Sequence, residues 1–180
     1  MLQAEVAGAK PTLTHNSPTR GHVLFDCSLP STQGQQISFY DYRGRCNLIV
    51  VLAGNMEPEP KQFLAMLSQH YPEIQAQNAE VLLVLPCPRA QAKRIHEQES
   101  FPFVVLADGN LHAQEMGGGL DSIDNPSAAV YVTDCFLEVF AAWRTSAGDQ
   151  FPAIAEVLSW LQHIESQCPE CSQPEWPVDD

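Results

Sequence analysis

Cys168-Pro169-Glu170-Cys171 places two thiols three positions apart, a spacing that closes a small disulfide or supplies two legs of a tetrahedral zinc site. Its surroundings bear on which. No Lys or Arg follows Arg144, whereas Asp149, Glu156, Glu165, Glu170, Glu175, Asp179 and Asp180 all do. A helical pattern ends just before the motif, so the negative end of a helix dipole adds to the same field. Both effects raise thiol pKa values and weaken the pair as fast nucleophiles. That suits a slow resolving or sensing disulfide, or a metal. A cation would remove both protons whatever the intrinsic pKa. His163 could then serve as a third ligand and Cys87 or Cys135 as a fourth, or two chains could pool their tails. The remaining alternative is an inert tail.

The other candidates are weaker. Cys27 and Cys46 fall in or beside apolar runs, where a cysteine is usually a small hydrophobe. Cys135 falls in a hairpin turn. Cys87 lies between Pro86 and Pro88 near Arg89 and would be reactive if exposed. Asp121, Asp124 and Asn125 could face a cation, but such residues in a Gly/Pro-rich loop are mostly turn formers. The 6 histidines are scattered, with no HxxxH pair.

Composition narrows the partners. With 9 Lys+Arg against 22 Asp+Glu the 180-residue chain carries a net charge of −13, a poor match to nucleic acid or to an anionic membrane. No apolar run approaches the roughly 18 residues of a spanning helix. Met1 to Lys10 lacks the basic and uninterrupted apolar regions of a secretory signal. A cytoplasmic protein with mostly free thiols is the expectation, since 6 cysteines are too sparse for a disulfide-stapled scaffold.

The elements that must position these thiols follow from apolar periodicity. Residues 1–20 read as an irregular arm, 21–165 as one domain and 166–180 as an acidic tail. Val23 to Leu29 and Ile37 to Phe39 should pair as a hairpin about Gln33-Gly34-Gln35. Asp41 to Arg45 reads as a polar loop. Leu48-Ile49-Val50-Val51-Leu52 has the continuous β-branched character of a strand buried on both faces, and should be central. From Pro58 the period changes, with Phe63, Leu64, Leu67 and Tyr71 on one helical face that Pro72 breaks or kinks. Val81 to Leu85 is a second buried strand, Arg89 to Glu99 a helix and Phe103 to Leu106 a third strand. Leu111 to Met116 is a short helix stopped by Gly117-Gly118-Gly119, with a loop running to Ser127. Ala128 to Thr133 and Phe136 to Ala142 should form a hairpin about Asp134-Cys135, before a helix over Pro152 to Glu165. Strands alternating with helices and ending in a hairpin give an α/β layered fold on a mixed sheet.

Several of these segments resemble one family. Gln33 to Arg45 followed by Leu48 to Leu52 is similar to the opening of the peroxiredoxin-like family, the alkyl hydroperoxide reductase C and thiol-specific antioxidant (redoxin) group. Ala79 to Val84 resembles its second core strand, Phe101 to Asn110 its segment ending in Asp108, and Ala128 to Asp134 a later strand. The similarity runs from Gly21 to Ile164 in order and implies a thioredoxin-like fold: a mixed central sheet flanked by helices. It also implies a peroxide-reducing cysteine at a helix N-terminus just after the central strand, where dipole and unpaired N–H groups favour the thiolate.

Ala53 to Phe63 has no cysteine, and no Ser, Thr or His lies between Asn47 and Leu67. Glu57 and Glu59 stand there instead, favourable for a helix start but repulsive to a thiolate or a peroxide anion. Counting back from Asp134, the place where relatives carry a cis-proline or an arginine falls on Ala128, with Pro126 two residues earlier, so either a loop insertion shifts the register or that element is lost. The expectation is therefore a divergent thiol:disulfide oxidoreductase or redox sensor working through Cys168 and Cys171 on a protein disulfide or thiol partner. It would need no cofactor, zinc being the one that the tail could take, and by analogy it would be a homodimer. The alternative is a catalytically silent binding module whose tail is a zinc knuckle or a partner contact.

Overall fold

Every residue of Asn47–Leu52 is buried, with Ile49 and Val51 packed into one apolar cluster and Leu48, Val50 and Leu52 into another. A strand apolar on both faces must be covered on both, and the rest of the chain is organised around it. The computed structural model describes residues 18–54, 56, 58–117, 120–122, 125–126, 128–145 and 151–167. Cys168, Cys171 and most of the N-terminal arm lie outside them.

In chain order the elements are β1 (Ser28–Pro30), β2 (Gln36–Ser38), a 3-10 turn (Phe39–Tyr42), β3 (Asn47–Leu52), α1 (Pro58–Gln69) and α2 (Tyr71–Ala76). They continue with β4 (Ala79–Leu85), α3 (Arg89–Glu99), β5 (Val104–Ala107), α4 (His112–Met116), β6 (Leu120–Ser122) and β7 (Asn125–Pro126). Last come β8 (Ala128–Thr133), β9 (Val139–Thr145) and α5 (Ile154–Glu165). The main sheet has the order β5-β4-β3-β8-β9, with β3, β4 and β5 parallel, β8 antiparallel to β3, and β9 antiparallel to β8. The strand read as central is central. Phe63, Leu64 and Leu67 of α1, Ile74 of α2 and Val157 and Leu161 of α5 cover one face; Leu24, Phe39 and Ala113 of α4 cover the other.

Local chemistry explains the boundaries. Pro72 sits in the first turn of α2, so the chain breaks at His70 rather than continuing α1. α3 spans the expected residues and stops where Ser100 turns left-handed, at φ 55. The first hairpin is shorter than expected: Ser28 pairs with Ser38 and Pro30 with Gln36, while Val23 makes an isolated bridge to Glu138. Asp41 and Tyr42 belong to the 3-10 turn, because Ser38 and Asp41 form a capping box. The Ser38 amide donates to Asp41 Oδ2 at 2.8 Å, and the Tyr40 amide donates to Ser38 Oγ at 3.0 Å. Between β6 and β7 a short antiparallel pairing replaces the expected loop.

β9 begins at Val139, three residues later than the sequence pattern suggested. Asp134 Oδ1 accepts the amides of Phe136 at 2.9 Å and Glu138 at 2.8 Å, and Leu137 is left-handed at φ 70. This compact Asx loop takes the place of a two-residue turn. No helix among the described residues is long and apolar enough to cross a membrane.

Candidate functional site

The sheet has two ends; among the described residues Cys87 lies at one and Cys46 and Cys135 at the other. At the carboxyl end, β3 runs into buried Ala53, and α1 begins at Pro58 with Glu59 exposed in its first turn. This is the helix N-terminus where the resemblance expects a thiolate. Asn55 and Glu57 lie outside the described residues. Gln114 on α4 reaches the same end: its Nε2 donates to Ala53 O at 3.0 Å, and its buried Oε1 has no hydrogen-bond partner among the described residues. One strand over, Cys87 follows β4 and is 9% exposed, and burial pushes its pKa up. It is buried rather than reactive, which closes the exposed alternative considered from its flanking prolines. Ala128 is the buried first residue of β8.

At the amino end, Cys46 immediately precedes β3 and Cys135 sits in the β8–β9 loop. The Gly44 amide donates to Cys135 O at 2.6 Å, and Leu48 pairs with Thr133. These two contacts bracket Cys46 and Cys135 and bring them together from distant parts of the chain. Both thiols are half-buried, and burial raises both pKa values first. Neighbouring groups add to it: Glu80 raises Cys46, Arg45 opposes it and the Cys135 thiol raises it further, while Asp134 and Glu165 raise Cys135. Glu80 is held in place by the Tyr71 hydroxyl, which donates to its Oε1 at 2.6 Å.

α5 ends at this same pole. Asn47, buried at 2% exposure, donates from Nδ2 to Glu165 Oε1 at 2.7 Å and to Gln77 O at 3.3 Å. The last residue of α5 is thereby tied to the residue after Cys46. His163 shares a 2.8 Å contact between its Nε2 and Gln167 Nε2, and its ring meets Trp160 and Phe140 edge-on. Among the described residues no group of three or more His, Cys, Asp and Glu side chains could hold a metal ion.

Cys27, immediately before β1, is 3% exposed, and its pKa is pushed up to about 12 by burial, then by Asp108 and Asp26. A rise from 9.0 to about 12 lowers its thiolate fraction at neutral pH by roughly a thousandfold. Native protein is therefore expected to alkylate at Cys27 with iodoacetamide only after unfolding in urea, and a fast-labelling Cys27 at pH 8 would contradict this burial. The linkage has one sign. The unfolded thiol ionises near 9.0 and the folded one near 12, so this contribution to stability is intact below pH 9 and is lost as pH rises toward 12.

A cavity of about 250 Å³ opens beside β5, lined by Thr32, Tyr71, His96, Phe101 and Phe103 among others. Its histidine is spoken for: His96 Nδ1 meets Thr32 Oγ1 at 2.8 Å and Nε2 meets Phe101 O at 2.9 Å. With both ring nitrogens engaged it is a structural clamp, not a base aimed into the cavity.

The thioredoxin-like arrangement of sheet and helices, with α1 starting directly beyond the central strand, accords with a sequence match of the AhpC/TSA family over residues 21–139. The chain belongs to the AhpC/TSA family. Several solved peroxiredoxins share the fold of this AhpC/TSA protein. Peroxidoxin BcpB from Mycobacterium tuberculosis superposes with a TM-score of 0.73 at 15% identity, over 82% of this chain and 98% of its own. Mycobacterium bovis AhpC gives 0.71 at 16% identity, over 87% and 99%. Plasmodium vivax 2-Cys peroxiredoxin gives 0.73 at 12% identity, over 87% and 90%. No curated protein matches. At these identities the likeness speaks for the fold alone.

Sequence reasoning missed the meeting of Cys46 and Cys135. The signal was faint: both flank strands that turn out to be antiparallel neighbours, but only the register reveals the encounter.

Proposed function

We propose that this AhpC/TSA protein is a divergent thiol:disulfide oxidoreductase or redox sensor whose working thiols are Cys168 and Cys171, and that it does not reduce peroxide at the α1 N-terminus. One observation carries the reading. Cys27, Cys46, Cys87 and Cys135 all have pKa values raised by burial, and the sequence from Ala53 to Phe63 holds no cysteine, so the remaining thiols are the tail pair. One tail thiolate attacks a partner disulfide, forming a mixed disulfide and expelling one partner thiol. The second tail thiolate attacks that mixed disulfide, leaving a Cys168–Cys171 disulfide and the other partner thiol. Two electrons pass to the partner, and an external dithiol returns them.

The partner is a protein disulfide or thiol, the setting a reducing cytoplasm, and self-association as a homodimer belongs to the same proposal. The test is reductant-dependent insulin reduction by the full chain alongside peroxide consumption. Slow insulin reduction that disappears in Cys168→Ser, with no peroxide turnover, is the expected result. A tail that never oxidises, or rapid peroxide turnover surviving Cys168→Ser, overturns it. A catalytically silent binding module is the second reading. It is favoured by the carboxylates clustered where α5 ends, and it predicts no insulin reduction at all.

A further inference from the structure

We propose that Cys46 and Cys135 are a redox modification site: a low-molecular-weight disulfide oxidises them to an intramolecular disulfide that staples the entry of β3 to the β8–β9 loop. The proposal goes beyond the reading of the tail, because it uses neither Cys168 nor Cys171. It starts from register. Leu48 on β3 faces Thr133 on β8, and two residues outward from that pair stand Cys46 on one chain segment and Cys135 on the other. Side chains two apart on a strand share a face, and Cys46 packs against the apolar cluster that holds Leu48. On the far side the Gly44 amide donates to Cys135 O at 2.6 Å, so the two segments are pinned together both before and after Cys46. Residues opposed across an antiparallel pair have Cα atoms about 4.5–5.5 Å apart, and a disulfide spans a Cα separation of about 4.4–6.8 Å. The Cys135 thiol is also near enough to disfavour ionisation of Cys46.

Access separates this pair from the other described thiols. Cys46 and Cys135 are half-buried, whereas Cys27 and Cys87 are buried. One thiolate of the pair attacks a sulfur of oxidised glutathione, the glutathione S–S bond breaks, and a mixed disulfide forms with release of one reduced glutathione. The second thiolate attacks the protein sulfur of that mixed disulfide and expels the other glutathione. Two electrons leave the protein, the two thiol protons end on the two glutathione thiols, and one protein disulfide is made. Burial keeps both thiolate fractions low, so closure is slow and records sustained oxidation rather than turnover. The bond joins positions far apart in sequence and so restricts the unfolded chain. It also locks the loop in which Asp134 gathers the Phe136 and Glu138 amides and sets where β9 begins.

The experiment takes the full chain and its Cys168→Ser/Cys171→Ser variant, both reduced, incubates them natively with oxidised glutathione, and maps the bonds by non-reducing peptide mass spectrometry. Both should yield a cross-linked peptide joining Cys46 to Cys135, with Cys27 and Cys87 still free, and dithiothreitol should restore the thiols. In Cys135→Ser the reaction should halt at a glutathione mixed disulfide on Cys46. The oxidised tail variant should melt at least about 4 °C above its reduced form. Mapping on unsubstituted Cys46 and Cys135 is independent of any folding defect that a serine at either position introduces. Both thiols remaining alkylatable, stable glutathione adducts in place of the bridge, or pairing of either cysteine with the tail or with a second chain overturns the proposal. So does a cross-link that forms only after unfolding in urea, or an unchanged melting temperature. Insulin reduction by the same two proteins reads the tail pair separately, so tail exchange and closure of Cys46–Cys135 can each fail without the other.

Discussion

Replacing Asp108 with alanine is expected to cost about 2–4 kcal/mol, lowering the melting temperature by roughly 5–15 °C. Asp108 is 1% exposed, and its two carboxylate oxygens cap α4: Oδ1 accepts the amide of His112 at 2.8 Å and Oδ2 that of Gln114 at 3.1 Å. Alanine leaves both donors without their acceptor, and Gln114 is wholly buried. The same carboxylate helps hold Cys27 in its protonated form, so the substitution has a second readout. Asp108→Asn keeps an acceptor, removes the charge, and should bring the Cys27 pKa down while costing less stability than alanine. Burial, the larger cause, remains, so the fall is partial. Denaturant unfolding and Cys27 labelling measure the two effects. An Asp108→Ala protein as stable as the parent would refute the role of the cap.

Leu64→Ala should destabilise the chain by about 2–5 kcal/mol. Leu64 is fully buried on the inner face of α1, between Phe63 and Leu67, in the cluster that joins α1, α2 and α5 to β3 and β4. Removing its branched end leaves a cavity against a sheet that cannot collapse to fill it, because the buried strands are held by register on both sides. The surface substitution Met66→Ala on the same helix, at a residue 37% exposed, serves as the contrast and should cost far less. Comparable losses at the two positions would mean that α1 does not pack as described.

Much of the architecture is readable from residues because its determinants are local. Leu48 to Leu52 and Val81 to Leu85 declare themselves by unbroken apolar character, and Pro72 marks the break between two helices. Arg89 to Glu99 is bounded by Pro88 and by the left-handed Ser100. Failures occurred where a side chain bonds its own backbone. Ser38 and Asp41 build a capping box where the pattern read a strand running into a loop, and Asp134 gathers two amides and delays β9. Both devices have sequence signatures, Ser-x-x-Asp and an Asp before a turn, which apolar periodicity does not weigh.

The candidate site was half legible. The spacing of Cys168 and Cys171 is local and announces chemistry, whereas the approach of Cys46 to Cys135 depends on β8 returning antiparallel beside β3, a long-range pairing that no local pattern encodes. The raised pKa values of the described thiols come first from burial, and at Cys27 and Cys46 also from Asp108 and Glu80, which are distant in sequence.

β3 spans 6 residues between its two poles, or about 20 Å at roughly 3.3 Å per residue. That is well beyond the roughly 7–10 Å within which substitutions usually couple. Substitutions at the helix start beyond Leu52 and at the thiols before Asn47 should therefore combine additively, with double-variant coupling within about 0.5 kcal/mol. In evolutionary terms, the strand insulates its ends. Residues at one pole of the scaffold can change without penalty to the other, so chemistry at the two ends of this fold can vary separately.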